Sequence, residues 1–233
     1  MKNDSESDAR AQFISKTLAE IYPDVTAPLR YTSPFSLLVA VILSAQCTDE
    51  RVNRVTPLLF SIAPDPLKMK DLAVEKIENI IHPCGLFRSK ARAIRGCAQI
   101  IAERYNGKVP ETFEELEKLP GVGHKTASVM ISQCFKGYAF PVDTHIRRLA
   151  NRWGLAHSQN VIIVENNLKK LFPKQEWRDL HIRMIRFGRE YCPARNHRID
   201  HCPICQFILI RAPRLPKGSS PLESSPGGSA SWT

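Results

Sequence analysis

The stretch Leu119–Met130, "LPGVGHKTASVM", decides how the chain is read. Two glycines precede a lysine and a threonine at the mouth of a helical pattern, which suits either a nucleotide-phosphate loop or a tight turn between helices. A Walker-type loop needs Gly-Lys-[Ser/Thr] in direct succession, and it follows a buried strand. Here His124 separates Gly123 from Lys125, position 118 is a lysine, and the preceding "TFEELEKL" has the spacing of an acidic helix. The turn between helices fits better: "TFEELEKL" as the first helix, "PGVG" as the turn, and "HKTASVMISQCF" as the second. Gly121 and Gly123 allow backbone angles and close approaches that a Cβ forbids. Bare N–H groups at the start of the second helix suit an anion, and a DNA phosphate is one such anion.

The rest of the chain follows the same period. "EKIENIIHPCGL", "SKARAIRGCAQIIAERYNG", "HIRRLANRWGL" and "NVIIVENNLKKLF" each repeat apolar residues at three- and four-residue intervals, and no stretch alternates as a strand does. This predicts an all-α protein of about ten short helices, with Pro34, Pro110, Pro120 and Pro141 at helix entries or turns and Gly107 at a helix end. The 233 residues leave room for one large or two small domains. With 33 Lys and Arg against 23 Asp and Glu, the net charge of +10 draws the chain toward polyanions. The polar start "MKNDSESDARAQF" is unlike an export signal, and the apolar run "PFSLLVAVILSAQC" is too short to cross a bilayer. Seven cysteines without an export signal predict a reducing compartment, where clustered cysteines read as metal ligands rather than disulfides. From Ala212 onward, "APRLPKGSSPLESSPGGSASWT" has too little apolar content to order itself and is expected to be a flexible tail over 212–233.

Asp143, in "FPVDTHIRRLANRWGL", stands just before an amphipathic helix, a favoured N-cap position. A cap alone does not explain why a proline-bounded segment returns an acid after the hairpin lysine. Together, "LPGVGHKTASVM" and "PVDTHIRRLANR" resemble the signature of the endonuclease III family of helix-hairpin-helix DNA glycosylases. "LLVAVILSAQCTDERVN" and "CGLFRSKARAI" resemble that family's early core helix and mid-chain loop, and the likeness runs from about residue 12 to 205.

The resemblance implies two all-α lobes with DNA across the cleft. A six-helix barrel over 27–137 would carry the hairpin, and 1–26 with 138–211 would form the second lobe. It implies a bifunctional glycosylase and abasic-site lyase of base excision repair, removing oxidised pyrimidines from damaged double-stranded DNA. Lys125 would attack C1′ and form a Schiff base, with β-elimination cleaving 3′ to the abasic site, and Asp143 would stabilise the cationic sugar. Such a lysine must lose its proton, which helix N–H dipoles and desolvation favour. Lys125 also separates the chain from the family's adenine-excising cousins, which lack a lysine there.

The resemblance further implies DNA contacts at Gln46, Leu86, Gly121, Val122, Gly123, His124, Thr126 and His145, with Gln46 and Leu86 filling the gap left by a flipped nucleotide. Without the resemblance, Gln46 reads as a helix-terminal polar residue and Leu86 as a core leucine. Arg51, Arg54, Arg88, Lys90, Arg92, Arg147, Arg148 and Arg152 fit a DNA face, some of them as solvated helix surface. A monomer in the bacterial cytoplasm, associated with the nucleoid, is also implied.

Cys47, Cys84, Cys97 and Cys134 are spread through apolar helices and read as core residues. In "YCPARNHRIDHCPICQFILIRAP" the family places four cysteines, spaced C-x6-C-x2-C-x5-C, around a [4Fe-4S] cluster. Aligned on Cys192 without gaps, Ile199 and Ile208 occupy two of those positions. Pairing Cys202 and Cys205 instead requires a three-residue insertion and puts Arg211 at the last position. Cys192, Cys202 and Cys205 are then an incomplete ligand set, and three outcomes stay open: an iron–sulfur cluster, a Cys3His zinc site using His197 or His201, or no metal. A non-catalytic helix-hairpin-helix DNA-binding protein is the competing reading of the whole chain, and a P-loop hydrolase is disfavoured by the glycine spacing.

Overall fold

The computed structural model describes residues 2–135 and 137–211, and the tail expected over 212–233 lies outside the described residues. Twelve α-helices and two 3-10 turns make up the regular structure, with no strand among the described residues. None of these helices is long and apolar enough to cross a membrane.

The first lobe is built on α2 (Pro34–Ser44). Pro34 sits in its first turn, and Ser33 and Ser36 close a reciprocal capping box. Every residue from Phe35 to Leu43 is buried. A helix that is apolar all round can only be the middle of a core. Helices α3 (Asp49–Ile62), α6 (Phe87–Arg104) and α8 (His124–Gln133) lie against it, while α4 (Pro66–Asp71) and α5 (Val74–Ile81) pack on α6. One continuous core runs from Phe35 to Ala139.

The second lobe joins both ends of the described chain. Helix α1 (Lys2–Ile21) packs with α9 (Thr144–Arg152), α10 (Val161–Leu171), α11 (Trp177–Glu190) and α12 (Pro203–Arg211) around a separate core containing Ile14, Leu18, Trp153 and Phe187. Polar ties hold α1 in place: the Tyr22 hydroxyl donates to Glu190 Oε2 at 2.7 Å, and Arg183 Nε donates to the Tyr22 carbonyl at 3.0 Å. Phe13 stacks on Phe207 with ring centroids 3.6 Å apart. The chain therefore starts in one lobe, builds the other, and returns.

The hairpin departs from its expected form. Helix α7 covers only Phe113–Leu116, capped by Thr112, instead of all of "TFEELEKL". Beyond it, Leu119 N donates to the Leu116 carbonyl and Val122 N to the Leu119 carbonyl, giving successive tight turns that bury Leu116, Leu119 and Val122. Pro120 cannot extend the helix and biases Leu119 away from it.

The two glycines also differ in their reasons. Gly121 has φ +74°, and a Cβ there would lie 2.9 Å from the Ala93 Cβ. Gly123, the N-cap of α8, has an extended φ of −103°, and a Cβ there would meet nothing within 4 Å. Only Gly121 is required by the fold. Gly121→Ala should lower the unfolding free energy by about 2 kcal/mol or more through strain and contact, whereas Gly123→Ala should cost no more than about 1 kcal/mol. Urea denaturation of the two variants checks this, and equal losses would contradict it.

Candidate catalytic cleft and metal-competent site

Gly123 has no side chain with which to cap α8, so the first-turn N–H groups carry no side-chain cap bond. Lys125 is the second residue of this helix and is exposed. Asp143 is the N-cap of α9: its Oδ1 accepts from Ile146 N at 2.8 Å, which commits one carboxylate oxygen and orients the group. Lys125 faces a cleft between the lobes that is also lined by Val129, Gln133, Asp49, His181 and Arg189. Across this cleft, Arg189 of α11 pairs with Asp49 of α3 at 2.9 Å.

His181 has no signal in the sequence beyond being a histidine between Leu180 and Ile182. In the structure it is buried, and neither ring nitrogen has a hydrogen-bond partner. Burial drives its pKa down to about 4, with the Asp143 charge opposing the shift and Lys125 adding to it. Burial likewise lowers His145, which also feels Asp143, Arg148, Arg189 and Lys125. Lys125, Asp143, His145 and His181 thus share one electrostatic neighbourhood, and both imidazoles are biased toward the neutral form.

His124 is engaged elsewhere. Its Nδ1 lies 3.0 Å from Glu117 of the first lobe, and its Nε2 lies 3.0 Å from Glu165 of α10 in the second. Burial disfavours the charged ring, but these two carboxylates overcome that and raise its pKa. The ring is a clamp between lobes. Val122 is buried and Thr126 half-buried, so at these positions the backbone is the part offered to a ligand.

Gln46 and Leu86 sit on adjacent loops: a Cβ on Gly85 would lie 3.3 Å from the Gln46 carbonyl. Both have left-handed backbone angles, φ +53° and +59°, which is uncommon for residues with side chains. Leu86 is 58% exposed, so it is no core leucine. Lys90 fixes the Gln46 loop from beneath, its buried ammonium donating to the Leu43 and Ala45 carbonyls at 2.9 and 2.6 Å.

Three of the basic residues assigned to a DNA face therefore point inward. Lys90 is committed to carbonyls, and Arg148 donates to the Gly188 and Cys192 carbonyls at 2.9 and 3.0 Å. Arg152 donates to the Pro193 carbonyl at 2.9 Å and to Cys192 Sγ at 3.2 Å. Helix periodicity placed these groups on polar faces; the loop after α2 turns Lys90 inward, and packing against residues 188–193 turns Arg148 and Arg152 inward. Arg51, Arg54, Arg88 and Arg92 stay exposed.

Among the scattered cysteines, Cys84 and Cys97 are buried while Cys47 and Cys134 are half-buried. Cys192, Cys202 and Cys205 come together, as the alignment with an insertion requires, and His197 joins them. The four ligand atoms all lie within 4.8 Å of one another. His201 is exposed and paired with Asp200 at 3.2 Å, and Ile199 is exposed. Hydrogen bonds from Cys202, Cys205 and Arg152 hold the Cys192 thiol well below the usual thiol range, while hydrogen bonds with Cys192 and Cys202, together with burial, push Cys205 up. This donor set can hold a metal ion. It departs from the four thiolates of the family's [4Fe-4S] pattern, both in having an imidazole and in the Cys192–Cys205 sulfur separation of 3.8 Å. Thiolates bonded to different irons of a cubane are spread apart by the cluster itself and do not come this close.

Residues 39–174 match the HhH-GPD superfamily of base excision DNA repair proteins. The chain is 44% identical to endonuclease III of Synechocystis sp. over 199 residues, covering 85% of this chain and 91% of that protein. It is 43% identical to endonuclease III of Escherichia coli, covering 82% and 92%. Among solved structures, a non-covalent endonuclease III–DNA complex superposes with TM-score 0.82 at 40% identity, covering 85% and 94% of the two chains. A trapped endonuclease III–DNA covalent intermediate superposes with TM-score 0.81 at 41% identity, covering 84% and 93%.

The cleft histidine has a stability signature. His181 titrates near 4 when folded, against 6.5 for the unperturbed group. Between those values the unfolded chain binds more protons, so stability falls as pH drops through that window. His181→Leu removes this contribution. The variant's unfolding free energy relative to wild type should therefore rise by about 2 to 3 kcal/mol between pH 7 and pH 4.5. Denaturation curves across that range check it, and parallel pH profiles would assign the acid sensitivity to other groups.

Proposed function

A member of the endonuclease III family within the HhH-GPD superfamily, this chain is a base-excision DNA glycosylase, and we propose that Lys125 is its nucleophile. The observation that carries this reading is the Lys125 amine itself. It is exposed one residue inside a helix start that lacks a side-chain cap, in a cleft with a neutral His181 and within the field of an oriented Asp143.

In the proposed sequence, a damaged nucleotide leaves the stack and enters the cleft, at a cost of a few kcal/mol. Lys125 Nζ attacks C1′, the glycosidic bond breaks, and its electron pair leaves with the base, which takes up a proton. The Asp143 carboxylate offsets the positive charge that grows on the sugar. Ring opening gives an iminium between Nζ and C1′. Loss of a proton from C2′ then expels the 3′ phosphate by β-elimination, and hydrolysis of the imine frees Lys125. The trapped covalent complex of a relative supports such a linkage. A neutral His181 adds no positive charge beside a lysine that must be deprotonated to attack.

Gln46 and Leu86 would fill the vacated stack. Two exposed side chains held in strained left-handed backbone on neighbouring loops favour that use, since strain of about 1–3 kcal/mol each persists where function needs it. Backbone N–H groups of the 121–126 turn and His145 would meet phosphate, with His124 contributing its backbone rather than its ring. DNA would lie across the junction between lobe 27–137 and the lobe formed by 1–26 with 138–211. Oxidised pyrimidines as substrates, a monomer, and a place in the bacterial cytoplasm beside the nucleoid complete the proposal. No step passes through the cysteine site.

Incubating the protein with abasic or thymine-glycol duplex and sodium borohydride should trap a covalent adduct by reducing the iminium. Lys125→Ala should abolish the adduct, and Asp143→Asn should slow its formation by about 100-fold or more. Folded wild type that binds the duplex but forms no adduct would leave the non-catalytic DNA-binding reading in its place.

A further inference from the structure

Helix α11 ends at Glu190, and between it and α12 the only regular structure is the 3-10 turn Ile199–His201. Such a segment needs something other than secondary structure to hold it. Its start and end supply Cys192 and Cys202, its middle supplies His197, and the first turn of α12 supplies Cys205, with the ligand atoms mutually within 4.8 Å. The spacing is C-x4-H-x4-C-x2-C. All three cysteines are buried, and His197 Nε2 is a buried nitrogen with no hydrogen-bond partner. A buried imidazole nitrogen left unpaired among three thiols is costly unless something binds it.

Distance separates the candidate occupants. One tetrahedral ion with metal–sulfur bonds of about 2.3 Å places its sulfurs about 3.8 Å apart. The Cys192 and Cys205 sulfurs are 3.8 Å apart. We propose that Cys192, His197, Cys202 and Cys205 bind a single zinc ion as a closed structural Cys3His site, standing where relatives of this chain carry an iron–sulfur cluster. Zinc is the ion for this set because thiolate and imidazole donors in a compact tetrahedron suit it, and four protein ligands leave no open position for catalysis.

The surroundings match that assignment. Three thiolates and one divalent ion leave a net charge of −1, and the Arg152 guanidinium, 3.2 Å from Cys192 Sγ, offsets it. Arg152 also donates to the Pro193 carbonyl, so one side chain orients a ligand and the backbone beside it. Cys202, Cys205 and Ile204 belong to the second lobe's core, and Phe207 of α12 stacks on Phe13 of α1. The ion would anchor α12 and, through it, the N-terminal helix.

Metal analysis of the purified full chain should find about one zinc per chain, no acid-labile sulfide and no visible iron–sulfur absorption. Cobalt substitution should give the d–d spectrum of a tetrahedral site with thiolate ligands. His197→Ala should weaken zinc binding by about 100-fold or more in a chelator competition, His197→Cys should restore it, and His201→Ala should leave it unchanged. Chelation should lower the melting temperature of wild type, while borohydride trapping below that temperature persists. Four irons and sulfide per chain would overturn the assignment in favour of a cluster. A well-folded protein with no metal, or zinc binding that His197→Ala leaves intact, would overturn it as well.

Discussion

The start of α8 is tied to the second lobe through a buried carboxylate. Glu165 is 3% exposed and cannot stay there charged without partners. Lys169 of its own helix supplies one, and the His124 ring, reaching across from the other lobe, supplies another at 3.0 Å. Removing one partner from such a group costs roughly 3–5 kcal/mol in typical cases. His124 is also the residue before Lys125, so the clamp sets where the helix carrying the lysine begins. Its raised pKa keeps the ring charged to higher pH than an ordinary histidine; that stabilisation is complete below 6.5 and fades as pH rises through the folded value.

Two kinds of precision meet at this junction. The hairpin turn is fixed sterically, by Gly121 against Ala93 and by Pro120, which cannot continue a helix. The acid is fixed by hydrogen bonding, through the cap that Asp143 makes at α9. Behind both stands α11, which supplies His181 and Arg189 to the cleft and packs so closely on α9 that a Cβ on Gly188 would lie 3.1 Å from Arg148. A site built on helix starts, with a helix packed behind it, keeps its geometry better than one on free loops.

The C-terminal segment follows a different economy. Arg148 and Arg152 spend their guanidinium groups on carbonyls and a thiol there. That use explains why two charges on an amphipathic helix contribute to architecture rather than to the basic surface. A departure from the family's ligand spacing still leaves four donor atoms within 4.8 Å of one another.

Helical class, the glycine turn before α8, the place of Lys125 at that helix start and the capping position of Asp143 were legible in the sequence, because each depends on local spacing: three- and four-residue periodicity, a glycine turn, a polar residue before an amphipathic helix. His181 was not, since a histidine on an apolar face becomes chemically distinctive only when burial removes its partners. The inward turn of Lys90, Arg148 and Arg152 was not either, because periodicity assigns a face to a side chain but not what covers that face. His197 and His201 stood as equal candidates in the sequence, four residues apart. Tertiary structure separated them by burying one imidazole nitrogen beside three sulfurs and leaving the other ring on an exposed aspartate. Local order follows from the spacing of residue types, whereas solvation and partnership depend on which distant segment arrives.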